Sequence, residues 1–451
     1  MATTQLLGPG LENFPTSFKK LIQDGILVRE FNDALYGNLQ HRDMYEEFYP
    51  NAALGQKFTF SNTGLLDDVD DPITPAANSD LDSGMAVVDP ASIEQFTLKL
   101  NKYGNTIDTN LLTSSLSMEN QFFKNAKDLG LNAGRSIDKA GRRHSYAAYG
   151  GGDTYATAVV TAAATLPAAN VFGFDFTLVD GYPTAVSATN PLAIIIDPDG
   201  TPIAVNVEGI SGVTVDKDID WAPGNLLLDA PVTVAVGAQI LSTFAPRKVS
   251  PLGMNKNIFD LTTTSDPTLD MVLEMVSQLE DDSVPPCSDM YYHILIDPIG
   301  YSKLMRTQEF REIFRGQGNE DVFTRGALGA YGNVLFRKTQ LAPKGTRTLT
   351  GSNQVKLRHM IAYGAEMGFE GRYADINKLN QLAGINQSLI QQEFDDETWV
   401  LFQHRTPLDR HGEVVSSSWK FLGGFSVKTD FYTLKDRYYG RGIVGTFGSA
   451  K

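Results

Sequence analysis

Three features of the amino-acid sequence place the chain in the α+β class with an inserted all-β domain. Residues 151–247 carry short β-type runs broken by turn signals, and residues 111–148 carry one long apolar stripe at helical spacing. After Pro251 short amphipathic helices alternate with strands. The 451 residues suffice for two or three domains. With 42% hydrophobic and 20% charged residues, the composition is that of an ordinary folded protein.

From the N-terminus, residues 11–49 read as helical, with Leu27, Phe31 and Leu35 at helical spacing and Pro50 as the stop. Gln56–Leu66 and Gln95–Thr109 alternate like strands around an acidic segment, Asp67–Pro90, so 56–109 is expected to be one long hairpin. Two strands alone are marginal in water, and such a hairpin must lean on something else. In the helix expected over 111–148, Phe122, Ala126, Leu129, Ala133, Ile137 and Ala140 form the stripe. Gly130, Gly134 and Gly141 interrupt it as close-packing sites or a bend, and Gly150-Gly-Gly152 ends it.

Next come expected strands at Phe172–Val179, Ala193–Ile196, Ile203–Val207, Val213–Val215, Leu226–Leu228, Val232–Val236 and Gln239–Phe244. Turns such as Asp180-Gly and Asp197-Pro-Asp-Gly200 separate them, as in a small sandwich or barrel. Asp266 as N-cap and Pro267 as first residue open a helix through Leu269, Val272, Val276 and Leu279. Strands are expected at Tyr291–Ile296, Val334–Lys338 and Met360–Tyr363, with helical turns at Pro298–Arg306 and Glu309–Arg315. The chain closes on β-rich runs around Trp399–Gln403, Val414–Trp419 and Gly424–Phe431.

The net charge of −15 is concentrated. Residues 151–245 hold ten acids against one Lys, and residues 67–93 hold seven Asp and no base. The remainder is nearly neutral, so nucleic-acid binding by the whole surface is not expected. One cysteine, Cys287, excludes an internal disulfide and a multi-thiolate zinc site. No apolar run approaches the ~18 residues of a membrane span, and Met1-Ala-Thr-Thr-Gln lacks the basic and apolar parts of a secretory signal. Synthesis in a reducing cytosol is the expectation.

Chemical motifs are sparse. Gly440-Arg-Gly442-Ile-Val-Gly445 matches G-x-G-x-x-G but has no room for a following helix, so a flexible or strand-like tail is expected there. His404 and His411 lie in a turn-rich stretch beside Asp409, which reads first as a solvated loop and only second as a metal site. Asp216-Lys-Asp-Ile-Asp220 begins like a calcium loop, but Trp221 and Leu227 occupy the glycine and glutamate positions, which excludes an EF-hand and leaves an irregular cation site at the edge of the β domain as the lesser reading. Asp67-Asp-Val-Asp-Asp71 reads as a solvated acidic loop. No catalytic, cofactor or metal residue is assigned. The one candidate binding set is Arg135, Lys139, Arg142 and Arg143. On the long helix these read first as cations complementing the helix dipole, second as partners of a neighbouring chain, and third as inner-face phosphate contacts.

The order of arm, long hairpin, long helix and mixed α/β region resembles the major capsid proteins of tailed bacteriophages with the Hong Kong 97-like fold. The resemblance is carried by Leu269–Leu279, the Pro285-Pro286 loop, and Tyr292-His-Ile-Leu-Ile-Asp-Pro298 with Tyr301 and Leu304. It continues through Gly326-Ala-Leu-Gly329, Asn333-Val-Leu-Phe336 and Lys356–Gly364. It implies an N-terminal arm over 1–55, an extended loop over 56–109 and a spine helix of the peripheral domain over 110–150. It further implies an inserted β domain over 151–247, a mainly axial domain over 248–370, and a return to axial and peripheral domains with C-terminal strands over 371–451. The implied function is a self-assembling icosahedral shell around double-stranded DNA, assembled in the host cytoplasm and ending in the virion.

The implied partners are copies of the chain as hexamers and pentamers, a portal, packaged DNA bound without sequence preference, a cement or decoration protein, and no membrane. Only about 55 residues precede the loop, so the scaffolding protein is expected as a separate chain. The stretch 67–93 has no Lys, so a covalent cross-link from the loop tip is not expected. No cofactor and no catalysis are implied. The rival readings are an encapsulin-type nanocompartment shell, an α/β enzyme with a β appendage, and a phage tail or adhesin component.

Overall fold

The computed structural model describes residues 5–7, 26–37, 39–48, 57–63, 93–110, 121–179, 182–198, 200–215, 222–308, 333–348, 354–372, 389–393, 400–405, 411, 413–427 and 441–450. The chain divides into two units: residues 1–58, 97–144 and 368–426, and residues 59–96, 145–367 and 427–451.

In the first unit, helix α1 (Ile26–Tyr36) buries Leu27, Val28, Phe31 and Leu35. The helix expected over 11–49 stops at Tyr36 and gives way to a 3₁₀ turn at Arg42–Met44 and a strand at Tyr45–Phe48. The cause is Asp138: its carboxylate accepts from the backbone N–H of Gln40 (2.7 Å) and His41 (2.6 Å), donors that a continuing helix would need. Residues 11–25 lie outside the described residues.

The expected hairpin is also divided. Lys57–Thr63 pairs with Ile93–Lys99 as a two-stranded ribbon, whereas Asn101–Asn110 joins the seven-stranded sheet of the first unit. Asn101 faces Gly423 and Asn110 faces Val414. A Cβ on Gly424 would lie 2.0 Å from the Lys99 carbonyl, so glycine there lets the backbone cross at the break. That sheet runs in the order Gln5–Leu7, Leu389–Glu393, Leu401–Arg405, Val414–Val427, Gly368–Arg372, Tyr45–Phe48. The last two expected C-terminal runs are therefore one strand, Val414–Val427.

Helix α2 (Gln121–Gly150) buries Ala126, Leu129, Ala133 and Ile137 of the expected stripe. Gly130 is where α1 crosses it: a Cβ there would meet the Phe31 carbonyl at 2.3 Å. Phe31 in turn stacks on Phe402 with centroids 4.6 Å apart.

In the second unit, six antiparallel strands follow the order Asp153–Tyr155, Gln239–Ser242, Leu192–Ile196, Ile203–Ser211, Gly224–Val234, Val160–Ala168. An Ala156–Ala168 bridge and the bonds Ala169 N–H to Tyr155 O (3.1 Å) and Thr157 N–H to Pro167 O (3.0 Å) close the sheet on itself. The result is a small barrel, a closure that removes free edges. Alternate residues of Leu192–Ile196 and Leu226–Leu228 fill it, with Phe174, Leu166, Val207 and Ile240.

Two expected strands, Leu226–Leu228 and Val232–Val236, merge into Gly224–Val234 with a register shift at its middle. Val213–Val215 is not a strand, and the Ala-rich strand Val160–Ala168 was not expected. Phe176–Val179 and Tyr182–Ala185 form a separate hairpin.

The second sheet of this unit has the order Gly253–Met254, Lys248–Ser250, Gly442–Ser449, Gln354–Tyr363, Tyr292–Ile296, Val334–Lys338, with Lys344–Thr348 also paired to Gln354–Tyr363. Helix α3 (Leu269–Asp281) and helix α4 (Pro298–Leu304) contribute Val272, Met275, Leu279, Tyr301 and Leu304 to its core. The cap of α3 is Thr268, whose Oγ1 accepts from Met271 N–H at 3.2 Å. The expected cap, Asp266, is instead paired with Lys303. The Gly-rich motif near the C-terminus is the strand Gly442–Ser449, buried at every residue.

Candidate assembly elements

Surfaces left partly uncovered, and the contacts that hold them, are the candidate elements. The ribbon of the former hairpin is one such element. Lys57, Thr59 and Ser61 are exposed, Phe58 and Phe60 half-buried, and Phe60 stacks on Phe96 at 5.3 Å. Phe96 and Leu98 on the second strand are buried, so the apolar face is covered on that strand and half open at Phe58 and Phe60. The acidic segment between the two strands lies outside the described residues, as do Gly326–Gly329, Glu309–Arg315, Asp409 and Asp216–Trp221.

The short strand Tyr45–Phe48, next in the chain before the ribbon, is held by charge. It lies parallel to Gly368–Arg372 with Glu47 opposite Glu370, a like-charge pair that would repel. Arg42 bridges the two, donating to Glu370 Oε2 at 2.6 Å and pairing with Glu47, and Arg372 donates to Glu47 Oε2 at 2.8 Å. Burial pushes the Glu370 carboxyl above its ordinary range, and Arg42 opposes that shift.

The candidate basic residues do not form one face. Arg135 is exposed, Lys139 and Arg143 are half-buried, and Arg142 is buried at 2% exposure. Arg142 is thus unavailable to a phosphate, because its turn of α2 is covered by the protein itself. The exposed cations of the helix are Lys124, Lys127 and Arg135. Steps of three to four residues along the chain indicate a helix face but not which of its turns are roofed over.

His404 is buried rather than in a solvated loop: it shares a 2.9 Å bond with Ser417 Oγ, and burial pushes its imidazole down to about 3. His411 is exposed. Among the described residues no group of three or more His, Cys, Asp or Glu could hold a metal, and no helix is long and apolar enough to cross a membrane.

Sequence reasoning missed the polar base of the barrel. Lys248 Nζ enters it from the neighbouring sheet, 3.1 Å from the Asp153 carbonyl and 3.6 Å from its Oδ2. Gln239 Nε2 donates to the other carboxylate oxygen at 3.0 Å. Burial pushes Asp153 up and Lys248 down, each partly offset by the other. Asn257 Nδ2 donates to the Gly237 carbonyl at 2.7 Å, and Phe259 packs on Tyr155 at 5.3 Å. The base is therefore closed by residues beyond 247. The only sequence signal was a Lys immediately after the acidic block, which read as a boundary.

No family model matches the chain, and no curated protein matches it. Solved structures do. The capsid of Ralstonia phage GP4 is 10% identical with a TM-score of 0.48, covering 90% of this chain and 87% of that one. The cyanophage Pam1 capsid asymmetric unit is 10% identical with a TM-score of 0.48, covering 93% of each. The capsid of cyanophage P-SCSP1u is 11% identical with a TM-score of 0.44, covering 91% and 88%. The chain is similar to these three phage capsid structures over about nine-tenths of its length.

Proposed function

We propose that the chain is a major capsid protein of the Hong Kong 97-like kind, a structural subunit that assembles with copies of itself into a closed icosahedral shell around double-stranded DNA. The observation that carries this is the ribbon of Lys57–Thr63 and Ile93–Lys99, with its half-covered Phe58 and Phe60. A two-stranded ribbon with an apolar face is marginal unless another surface covers it. Phe96 and Leu98 are already buried in the subunit, and a neighbouring copy covers what stays open at Phe58 and Phe60 at every equivalent position of a symmetric shell, where burial at many weak contacts drives closure. The sequence of ribbon, 30-residue helix α2, inserted barrel and mixed sheet supports the same reading.

In this reading the chain works as hexamers and pentamers, with a separate scaffolding protein and a portal as partners, and its place is the virion. Its work is interface formation. Exposed Arg135 and half-buried Lys139 and Arg143 supply inner-face or intersubunit contacts; Arg142 does not. Co-expression with the scaffolding protein, followed by sedimentation and negative-stain microscopy, tests the proposal. Closed shells tens of nanometres across are expected. A monomer or dimer under all assembly conditions overturns it.

A further inference from the structure

The strand Gly442–Ser449 follows every other strand of its sheet in the chain, yet it lies in the sheet's interior. It runs parallel to Lys248–Ser250 and antiparallel to Gln354–Tyr363, from Gly442 opposite Tyr363 to Ser449 opposite Lys356. Without it the order of strands splits in two: Gly253–Met254 with Lys248–Ser250 on one side, and the remaining four strands on the other.

Both of its faces are closely packed. On one, a Cβ at Gly445 would lie 2.8 Å from Met271 Cε and 2.9 Å from Met275 Sδ. Phe447 fills the space left by Gly300, and Ser449 Oγ accepts from Arg358 Nε at 2.9 Å. On the other, Gly442 faces Tyr149 and Met367, and Thr446 Oγ1 is 2.9 Å from His359 Nδ1. A Cβ at Gly448 would be only 2.1 Å from the Thr262 carbonyl oxygen. Glycine ordinarily weakens a strand, and here it recurs where backbone or side chains come closest.

We propose that the channel between Lys248–Ser250 and Gln354–Tyr363 is a strand-binding slot, and that Gly442–Ser449 is its ligand, seated after the rest of the sheet is in place. The slot reads the spacing Gly442, Gly445, Gly448, and it accepts the same segment from a second copy of this chain. Filling the slot welds the barrel-bearing side of the sheet to the other side. A subunit with an empty slot is therefore incomplete and unfit for shell assembly. That last consequence rests on the capsid reading; the slot itself does not.

The test uses the full chain carrying Gly448→Val, whose side chain collides with fixed backbone. A fluorescent peptide of residues 441–450 should bind this variant at least tenfold more tightly than it binds the wild-type chain, whose slot is filled. The same peptide with Gly448→Val should not bind. Bound peptide should slow amide exchange across 354–363. Equal binding of the two peptides, or none, overturns the slot.

A second measurement covers a variant that fails to fold. The wild-type chain is refolded from urea with excess peptide, which should be incorporated and should lower the yield of native protein. No incorporation with full yield overturns the proposal. Shell formation by the untreated wild-type chain is scored separately. Its absence counts against the capsid reading, while peptide binding still decides the slot.

Discussion

Lys248→Met is the most informative single change in the barrel base. It removes the cation that lies 3.6 Å from Asp153 Oδ2 and leaves the carboxylate with the Gln239 amide at 3.0 Å. Both side chains of the pair are almost fully buried, so no water replaces the ammonium. The cheapest escape for Asp153 is to take up a proton. From an ordinary carboxylate value near 3.9, that costs about 4 kcal/mol at pH 7, at roughly 1.36 kcal/mol per pH unit. This is a ceiling, and it agrees with the ~3–5 kcal/mol seen when one member of a buried pair is removed. Relief of the lysine's own burial lowers the net loss to about 2–4 kcal/mol.

The sign of the pH dependence follows. In the variant Asp153 titrates well above its unfolded value, so its stabilising protonated form is available in acid and lost as pH rises. The gap between variant and wild type should narrow by about 1 kcal/mol per unit from pH 7 toward pH 5. Asp153→Asn combined with Lys248→Met should recover most of the loss, because no charge is left buried. Urea denaturation, with hydrogen exchange of strands 153–155 and 239–242 as the local probe, measures all of this. A loss below about 1 kcal/mol at pH 7, or a gap that widens in acid, would refute the account.

Gly130→Ala should destabilise the first unit by about 1–3 kcal/mol, the overpacking range, although the same change in an open helix gains about 1 kcal/mol. Thermal unfolding decides the sign. Buried His404 stays neutral down to about 3 in the folded protein, so its contribution is full above the unfolded value near 6.5 and falls as pH drops below it. His404→Gln should therefore lose about 2 kcal/mol less stability than wild type between pH 7 and pH 5, read by denaturant midpoints at each pH. Residues 151–260, expressed alone, should melt cooperatively and at a higher temperature than residues 151–247, which lack Lys248, Asn257 and Phe259; circular dichroism compares them. Equal melting would mean that the base contributes nothing.

The sequence by itself determined what local periodicity can report. The buried stripe of α2, the apolar face of α3, the Pro298 start of α4 and most barrel strands follow from local sequence over a dozen residues. It also set the mixed class and the acidic barrel. The tertiary structure alone decided where elements stop and what covers them. Asp138 ends α1 from 97 residues away along the chain, and Gly424 on the neighbouring strand makes room for the backbone where the expected strand breaks at Leu100. Lys248, on the neighbouring sheet, is claimed by Asp153 at the barrel base. Arg142, a cation on a helix face like Arg135, is buried while Arg135 is exposed. The physical reason is common to all four. Spacing fixes the direction in which a side chain points, but burial and partnership depend on segments brought close only by folding.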